Sequence, residues 1–343
     1  MNTFLDELTD HVLSIQLKDH PPFARPLQWV FFPNGSTSQD GSLMLFGFEN
    51  EKPNPTLAVK VSRLLVNDWM LQNEYDRLVE LWARLGDEAV YRLPQPLAMV
   101  SIKKQPTLIT TYLKGVNLLR ASQDAVWDNP KQMLALAVDV AQSLRDVMDR
   151  TATKLLMGEQ VPSDFKQKVE KFIQMYQITN LEKQAIAEVM NDIEIAKAQA
   201  DHKILLQGDF WHGNMIRGEE YGRLMFIDWQ YSCWATDVSL DLYFFLLAGS
   251  LASVQSASLA DRARKAVRIL LKWQAKIIPA YLAAFGKPDK YALLPIRSGM
   301  LMCCIENAVR ASIDIGHDQV EDVVWRFMFS ELMSWPDGQE SYV

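Results

Sequence analysis

The sequence LQGDFWHGNMI at residues 206–216, followed by FIDWQ at residues 226–230, is the most informative part of this 343-residue chain. The two segments carry Asp209, then Asn214 five residues later, then Asp228 fourteen residues after that. Transfer of a phosphoryl group to a hydroxyl requires a carboxylate near the acceptor proton and oxygen ligands for Mg²⁺. Because Mg²⁺ takes few protein ligands and prefers carboxylate and amide oxygens, one Asn and one Asp suffice. The spacing therefore indicates phosphoryl-transfer chemistry.

Short β-like runs surround these side chains. Strands are predicted at residues 215–217 and 224–227, on either side of a turn-rich GEEYG segment. A hairpin of this kind would bring Asn214 and Asp228 to the same end. We therefore expect the two oxygen ligands to lie close together.

The motif resembles a known family. LQGDFWHGN…FIDWQ is similar to the HGDxxxxN…IDW signature of the aminoglycoside phosphotransferase and choline kinase-like family. Asp237 and Asp241, nine and thirteen residues after Asp228, match two further acidic positions of that family pattern. The resemblance implies that Asp209 is the catalytic base or orients the acceptor hydroxyl. It also implies that Asn214 and Asp228 bind Mg²⁺, and that Asp241 holds the catalytic loop by hydrogen bonds.

One position departs from the family pattern. The family usually has His where this chain has Gln207. That His braces the loop, and a Gln side chain can also donate and accept hydrogen bonds. The departure nevertheless leaves an alternative open, a pseudokinase or nucleotide-binding scaffold that transfers no phosphoryl group.

The first third of the chain predicts a small sheet with one helix. The apolar and β-branched runs that predict strands lie at residues 28–32, 42–48, 56–62, 96–102 and 107–113. An amphipathic helix is predicted at residues 64–85, from apolar residues three and four positions apart. From residue 130 onward the pattern is mostly helical, with a pair of helices expected between residues 163 and 200.

A lysine and a glutamate in this first third form a second candidate site. Lys60 lies between Val59 and Val61 in a predicted strand and resembles the kinase strand lysine that reaches the α- and β-phosphates. Glu74 lies at the inner edge of the following helix, where a carboxylate without a partner would be costly. We therefore expect a Lys60–Glu74 ion pair; the alternative is two solvated charges.

Two further segments are candidates for binding the nucleotide. Gly35, Ser36 and Thr37 lie between the first two predicted strands, where their amides and hydroxyls could cover phosphate oxygens. Tyr112 and Leu113 resemble the connector whose backbone would hydrogen-bond an adenine or guanine edge. Both assignments are expectations that depend on Lys60 lying in the adjoining strand.

These features together predict an α+β, protein-kinase-like fold with two lobes. Residues 1–112 would form a small β-rich N-lobe that binds nucleotide, and residues 113–343 a larger helical C-lobe with the catalytic loop and acceptor site. The expected enzyme transfers the γ-phosphoryl group of ATP or GTP, with Mg²⁺, to an alcohol on a small metabolite or antibiotic. A protein kinase is disfavoured because the motif has IDW in place of DFG and no APE-like segment follows.

Composition restricts the remaining possibilities. A formal net charge of −7 argues against general nucleic-acid binding and leaves a small hydroxyl-bearing molecule as the expected partner. Three cysteines without a CxxC pair predict reduced thiols in a cytoplasmic protein, and residues 1–10 show no signal-peptide pattern. The apolar run at residues 242–254 is shorter than the about 20 residues a membrane span needs, so a buried helix is expected.

Overall fold

The computed structural model describes residues 3–15, 23, 26–32, 42–49, 52–63, 68–119, 129–219, 222–256, 258–315 and 323–335. The chain divides into two compact units. Unit 1 comprises Met1–Val116 and Ile216–Tyr231, and unit 2 comprises Asn117–Met215 and Ser232–Val343. The segment that carries Asp228 is thus grouped with the β-rich part of the chain, although it comes much later in the sequence. The predicted roles of residues 1–112 and 113–343 stay predictions.

Unit 1 is built on an antiparallel sheet of five strands in the order β1-β2-β3-β5-β4. Its elements in chain order are α1 (Phe4–Ser14), β1 (Leu27–Phe32), β2 (Ser42–Glu49), β3 (Leu57–Ser62), α2 (Asp68–Leu85), β4 (Pro96–Ile102), β5 (Gln105–Thr111) and β6 (Gly115–Asn117). A short 3₁₀-helix, Gly86–Tyr91, follows α2.

The alternation of side chains along β3 explains how the sheet serves both core and site. Leu57, Val59 and Val61 are buried with Leu8 and Val12 of α1 in one apolar cluster. Because successive side chains of a strand point to opposite faces, Lys60 points away from that cluster. The strand thus buries one face in the core and presents the lysine on the other.

The turn between β4 and β5 corrects one predicted boundary. Strand β5 begins at Gln105, two residues before the start of the predicted run at 107–113, and it ends at Thr111. Lys103 and Lys104 form a two-residue turn with φ of 51° and 66°, and Ile102 pairs with Gln105 directly across it. Such turns need positive φ at both positions and fix the register of the hairpin. The turn geometry, which hydrophobicity does not report, sets where the strand begins.

The late segment of unit 1 forms the predicted pair of short strands. Strands β9 (Met215–Gly218) and β10 (Leu224–Phe226) are neighbours in a three-stranded sheet with β6. Gly115 of β6 packs so closely on this sheet that a Cβ atom there would lie 2.3 Å from the carbonyl oxygen of Arg217. A glycine is therefore required at that contact.

Unit 2 is mainly helical. Its elements in chain order are α3 (Pro130–Thr151), β7 (Thr153–Lys154), α4 (Phe165–Met175), α5 (Asn180–Gln199), β8 (His202–Leu206), β11 (Cys233–Ala235), α6 (Ser239–Ala252), α7 (Leu259–Trp273), α8 (Ile277–Phe285), α9 (Ile296–Ile315) and α10 (Val324–Leu332). Strands β11, β8 and β7, in that order, form a small sheet, and its central strand β8 leads into the segment that carries Asp209.

Helix α6 forms the centre of unit 2. Almost all of its side chains are buried, which agrees with the predicted buried helix at residues 242–254. It packs against α7 and α9, and the hydroxyl of Tyr281 on α8 donates to the carbonyl of Leu242 at 2.9 Å. Within the described ranges, no helix is both long enough and apolar enough to cross a membrane.

Candidate active site

In unit 1, Lys60, Glu74 and Asp228 form a cluster of charges, here called the Lys60 cluster. The Lys60 ammonium donates to both Glu74 oxygens, at 2.8 and 2.6 Å, and to Asp228 Oδ1 at 2.8 Å. The predicted Lys60–Glu74 ion pair is therefore present. The contact with Asp228 joins residues 168 positions apart, and no local sequence pattern predicted it.

The environment of Lys60 keeps its ammonium charged. Burial disfavours the charged form, but the nearby carboxylates of Asp228 and Glu74 outweigh this effect and raise the pKa of Lys60 above its ordinary value. The exposed fraction of the side chain is 17% for Lys60, 3% for Glu74 and 29% for Asp228. Asp228 is thus the more accessible of the two partners of the lysine.

The position of Asp228 depends on an unusual backbone conformation. Its φ is +63°, in the left-handed region that Asp and Asn tolerate better than most residues. The following Trp229 is buried and its ring N–H donates to the carbonyl of Phe226 at 3.2 Å. Asn73 of α2 donates to the carbonyl of Gln230 at 3.0 Å. The residues after β10 are thereby fastened to the helix that carries Glu74.

In unit 2, residues 207–214 form a loop, here called the Asp209 loop, that is held by a buried carboxylate. The two oxygens of Asp241 accept hydrogen bonds from the backbone N–H groups of Gln207 and Gly208, at 2.7 and 2.9 Å. The pKa of Asp241 is raised to about 7, mainly by burial. The two hydrogen bonds act in the opposite direction and lower this pKa, whereas the negative charge of Asp209 raises it. Gly208 has φ of +80°, a conformation that favours glycine. The holding role that the resemblance implied for Asp241 is matched by these contacts.

Asp209 is held in the loop through its side chain and its main chain. Its Oδ2 atom accepts from the amide nitrogen of Asn214 at 2.9 Å, and its carbonyl accepts from the same nitrogen at 3.0 Å. Its own N–H donates to Oε1 of Gln207 at 2.8 Å. The Gln at the family's usual His position therefore braces the loop by a hydrogen bond to Asp209.

Arg310 of α9 contacts the Asp209 loop, and the sequence analysis did not identify it. Its guanidinium donates to Asp209 Oδ1 at 3.1 Å and to the carbonyl of Gly208 at 2.8 Å. Asp209 and Arg310 lie 101 positions apart, and no spacing rule connects them. The available signal was an arginine that follows the largely apolar segment MLMCCI and the polar pair Glu306–Asn307 on one helix.

His212, also in the Asp209 loop, is buried. Burial lowers the pKa of His212 to about 4, so the ring is neutral near pH 7. Its ring centroid lies 4.9 Å from that of Trp211 in an edge-on arrangement. These features fit a structural part of the loop.

The predicted connector to the nucleotide base is described, and the predicted phosphate-covering loop is not. Tyr112 follows β5, its N–H donates to the carbonyl of Thr56 at 2.9 Å, and its ring packs edge-on against Phe46. Leu113 is buried. Their contact with a base stays a prediction. The segment with Gly35, Ser36 and Thr37 lies outside the described residues.

The residues expected to bind Mg²⁺ have the right donor chemistry. Because the amide nitrogen of Asn214 faces Asp209, its carbonyl oxygen is the atom of that side chain suited to a cation. In unit 1, the carboxylate of Asp228 is partly exposed and carries the second suitable oxygen donors. Within the described ranges there is no group of three or more His, Cys, Asp or Glu side chains that could hold a metal ion.

Comparisons with known proteins agree with the fold. The model of a family described as APH, phosphotransferase enzyme family, matches residues 51–283. The structure of a choline/ethanolamine kinase family protein from Mesorhizobium loti is similar, with 13% identity, coverage of 97% of this chain and 96% of that chain, and a TM-score of 0.51. Choline kinase LicA from Streptococcus pneumoniae gives 14% identity, coverage of 89% and 94%, and a TM-score of 0.52.

A structure of LicA in complex with AMP is also similar, at 12% identity, coverage of 91% and 94%, and a TM-score of 0.52. At these identities the likeness shows the fold alone. It confirms the predicted α+β, protein-kinase-like fold with a small antiparallel sheet and a larger helical part. Comparison with curated protein sequences gave no significant match.

Proposed function

Because the chain belongs to the APH phosphotransferase enzyme family, as its motif predicted, we propose that it transfers the γ-phosphoryl group of ATP or GTP to a hydroxyl of a small molecule. The single observation that carries this proposal is the arrangement of Asp209. Its carboxylate is oriented by Asn214 and Arg310, in a loop whose backbone is anchored on the buried Asp241. A carboxylate fixed in this way is suited to orienting an acceptor hydroxyl.

The proposed reaction is an in-line transfer. The acceptor oxygen forms a bond to the γ-phosphorus while the bond from that phosphorus to the β,γ-bridging oxygen breaks. The leaving nucleoside diphosphate takes the bonding electrons, and Asp209 accepts the hydroxyl proton. Asp209 needs only to orient the hydroxyl and receive its proton, since phosphoryl transfer depends mainly on positioning and charge stabilisation.

Lys60 supports the nucleotide part of the proposal. A strand lysine with a buried glutamate partner, and an ammonium that stays charged, can bind the α- and β-phosphates. The AMP complex of LicA is consistent with a nucleotide as co-substrate in this fold. Tyr112 and Leu113 are proposed to contact the base, and Gly35, Ser36 and Thr37 to cover the phosphates.

Asn214 and Asp228 are proposed to hold Mg²⁺. When bound, the ion would neutralise the charge of the phosphate oxygens. Asn214 would contribute its carbonyl oxygen, which its hydrogen bonds to Asp209 orient. Asp228 would contribute its carboxylate, which Lys60 now contacts through one oxygen. Lys60 would then exchange part of its contact with Asp228 for the phosphates.

The acceptor is proposed to be an alcohol of a small metabolite or antibiotic. Amino alcohols, sugars, aminoglycosides and lipid-linked alcohols form the panel to test. Nothing in the described part of the chain favours the pseudokinase alternative. That alternative arose because Gln207 replaces the usual His, and Gln207 accepts a hydrogen bond from the Asp209 N–H and so braces the loop.

The test is Mg²⁺-dependent nucleotide turnover with that panel, for the wild type and for Asp209→Asn. Asn keeps the shape of the side chain but is a much poorer proton acceptor, so turnover should fall by about 10³-fold while nucleotide affinity is retained. A matched control is Asp146→Asn, whose carboxylate accepts from Arg150 on the surface of α3. It should turn over like the wild type.

Equal turnover in Asp209→Asn and the wild type would exclude the proposed role of Asp209. Nucleotide binding without turnover for any acceptor class, in a correctly folded wild type, would contradict the enzyme and favour the scaffold.

A further inference from the structure

We propose that Arg310 is a positioning residue that sets the orientation of the Asp209 carboxylate for transfer. This inference rests on the proposed function and extends it to a residue outside the family motif. Arg310 is on α9, about a hundred residues after the Asp209 loop, so its role has to be argued from contacts in unit 2.

The geometry of the contact is a grip at two points. Nη1 of Arg310 donates to Asp209 Oδ1 at 3.1 Å, and Nη2 donates to the carbonyl of Gly208 at 2.8 Å. One planar guanidinium thus binds the side chain of Asp209 and the main chain directly before it. Because the fork is rigid, fixing one contact restricts the other. A lysine could make either contact but could not hold both in one plane.

The grip completes the restraint of the carboxylate. Oδ1 of Asp209 is held by Arg310, and Oδ2 is held by Asn214 at 2.9 Å. A carboxylate has about four lone-pair positions, so each oxygen keeps capacity for an acceptor hydroxyl. Contacts on both oxygens disfavour rotation of the side chain. An Asp held in one rotamer presents its oxygens to the acceptor in one geometry, which is the condition for efficient transfer.

The helix that carries Arg310 is itself firmly placed. Its buried Glu306, one turn earlier, is paired with Lys168 of α4 at 2.6 Å. Asn307 donates to the carbonyl of Cys303 within the helix. The side chains of Arg310 and Asp209 are 20% and 21% exposed, so the contact is only partly screened by solvent. Arg310 therefore links the Asp209 loop to a helix that is packed in the core of unit 2.

The same helix offers a closely matched control. Arg297 of α9 also binds one carboxylate and one main-chain carbonyl, Glu188 Oε2 at 2.8 Å and Met333 O at 3.2 Å. Its side chain is 19% exposed, close to the value for Arg310. Its partners lie on α5 and directly after α10, and neither belongs to the Asp209 loop. Substituting either arginine removes the same type of contact, and only one of them reaches Asp209.

The experiment compares Arg310→Gln, Arg310→Lys and Arg297→Gln with the wild type. For Arg310→Gln we expect kcat with the best acceptor of the panel to fall about 100-fold, with acceptor KM within about threefold, because misplacement of a reacting group acts on the rate of transfer. Arg310→Lys should keep the charge and recover part of kcat. Arg297→Gln should keep wild-type kcat even where it lowers Tm.

A second readout does not depend on knowing the acceptor. Hydrogen–deuterium exchange of the amides at residues 207–214 should be about tenfold faster in Arg310→Gln, because a charge-assisted contact to the loop is lost. Arg297→Gln should leave this exchange unchanged. Added guanidinium, at concentrations that do not unfold the protein, should restore part of the turnover of Arg310→Ala.

The outcomes separate the two proposals. Wild-type kcat in Arg310→Gln, or equal losses in Arg310→Gln and Arg297→Gln, would overturn the positioning role. If the wild type turns over no acceptor, the proposed function fails. In that case, hydrogen–deuterium exchange at residues 207–214 that is unchanged in Arg310→Gln would also overturn the proposal that Arg310 restrains the Asp209 loop. If Arg310→Gln does not fold, failure of guanidinium to restore Arg310→Ala, together with full kcat in Arg310→Lys, would overturn it.

Discussion

In the Lys60 cluster, two carboxylates accept hydrogen bonds from one ammonium group. In the Asp209 loop, by contrast, two backbone N–H groups donate to one buried carboxylate, that of Asp241 on α6. The first arrangement consists of side chains only, and two of its members are partly exposed. The second fixes the main chain from within the core. The two parts of the proposed chemistry are therefore stabilised in different ways.

This difference indicates which part can rearrange. A side-chain ion pair can exchange one partner for another at little cost when the new partner is also charged. Lys60 could therefore turn from Asp228 to phosphate oxygens while it keeps Glu74. A main chain held by buried hydrogen bonds has no such alternative partner, because an unpaired buried N–H is costly. We expect the Lys60 cluster to adapt to ligands and the Asp209 loop to keep its shape.

The largest expected effect is on stability, from Lys60→Met. This change leaves Glu74 buried without its cation, and loss of one partner of a buried pair costs about 3–5 kcal/mol. The free energy of unfolding from urea titration measures it. The double variant Lys60→Met/Glu74→Leu should recover part of the loss.

The surface pair Lys197–Glu194 provides the control for Lys60. Lys197→Met should cost less than about 1 kcal/mol, since exposed ion pairs contribute little. Similar losses in Lys60→Met and Lys197→Met would show that the Lys60 cluster is no more than a solvated surface contact.

The next effect is a dependence of stability on pH through His212. Its pKa is lowered from 6.5 to about 4 by burial, so the unfolded chain takes up the proton first as the pH falls. The stability that this residue contributes is complete above about pH 7 and is lost between pH 6.5 and 4. The expected loss is about 3 kcal/mol.

Urea titrations at a series of pH values test this prediction against His212→Asn. In the variant, the free energy of unfolding should depend less steeply on pH between pH 6.5 and 4 than in the wild type, whatever its value at pH 7. Parallel curves for the variant and the wild type across that window would show that His212 does not titrate differently on folding.

A smaller effect is expected from Asp241→Asn. One acceptor oxygen is replaced by an NH₂ group that faces a backbone donor, which should cost about 2 kcal/mol. Asp237 accepts from a single backbone N–H, that of Ser239, so Asp237→Asn should cost less. Urea titration gives both values. A smaller loss for Asp241→Asn than for Asp237→Asn would contradict the anchoring of the loop by Asp241.

The smallest effect is expected at Gln207. Gln207→His, which introduces the usual family residue, should change stability by less than about 0.5 kcal/mol and leave kcat within about threefold, because His can also accept from the Asp209 N–H. Gln207→Leu removes that acceptor and should cost about 1 kcal/mol. Kinetics and urea titration on both variants test the point. A large rise in kcat for Gln207→His would show that Gln207 weakens the enzyme.

Local patterns predicted much of the fold and of each part of the candidate site. The alternation around Lys60 placed it on a strand, and the helical spacing around Glu74 predicted that its carboxylate points inward. Strands β4, β9 and β10 lie within about a residue of the predicted boundaries, because short apolar runs between turn signals define them well. The family motif pointed to Asp209, Asn214, Asp228 and Asp241 together.

What the sequence did not predict depends on contacts between distant residues or on local backbone geometry. The Lys60–Asp228 pair and the Arg310–Asp209 pair each join positions more than a hundred apart. Nothing in composition separates Arg310 from Arg297 on the same helix, although only Arg310 contacts the loop. Helix α1 was also missed, although Thr3 and Asp6 form a capping box at its start.

The two arginines of α9 also limit how the chain can change in length. They lie thirteen positions apart, so at about 100° per residue they project roughly 220° apart around the helix axis. Insertion or deletion of one residue between them would rotate one relative to the other by about 100°. Either the grip on the Asp209 loop or the contact with Glu188 would then be lost. In divergent relatives that keep both arginines, we expect the interval between them to stay free of gaps.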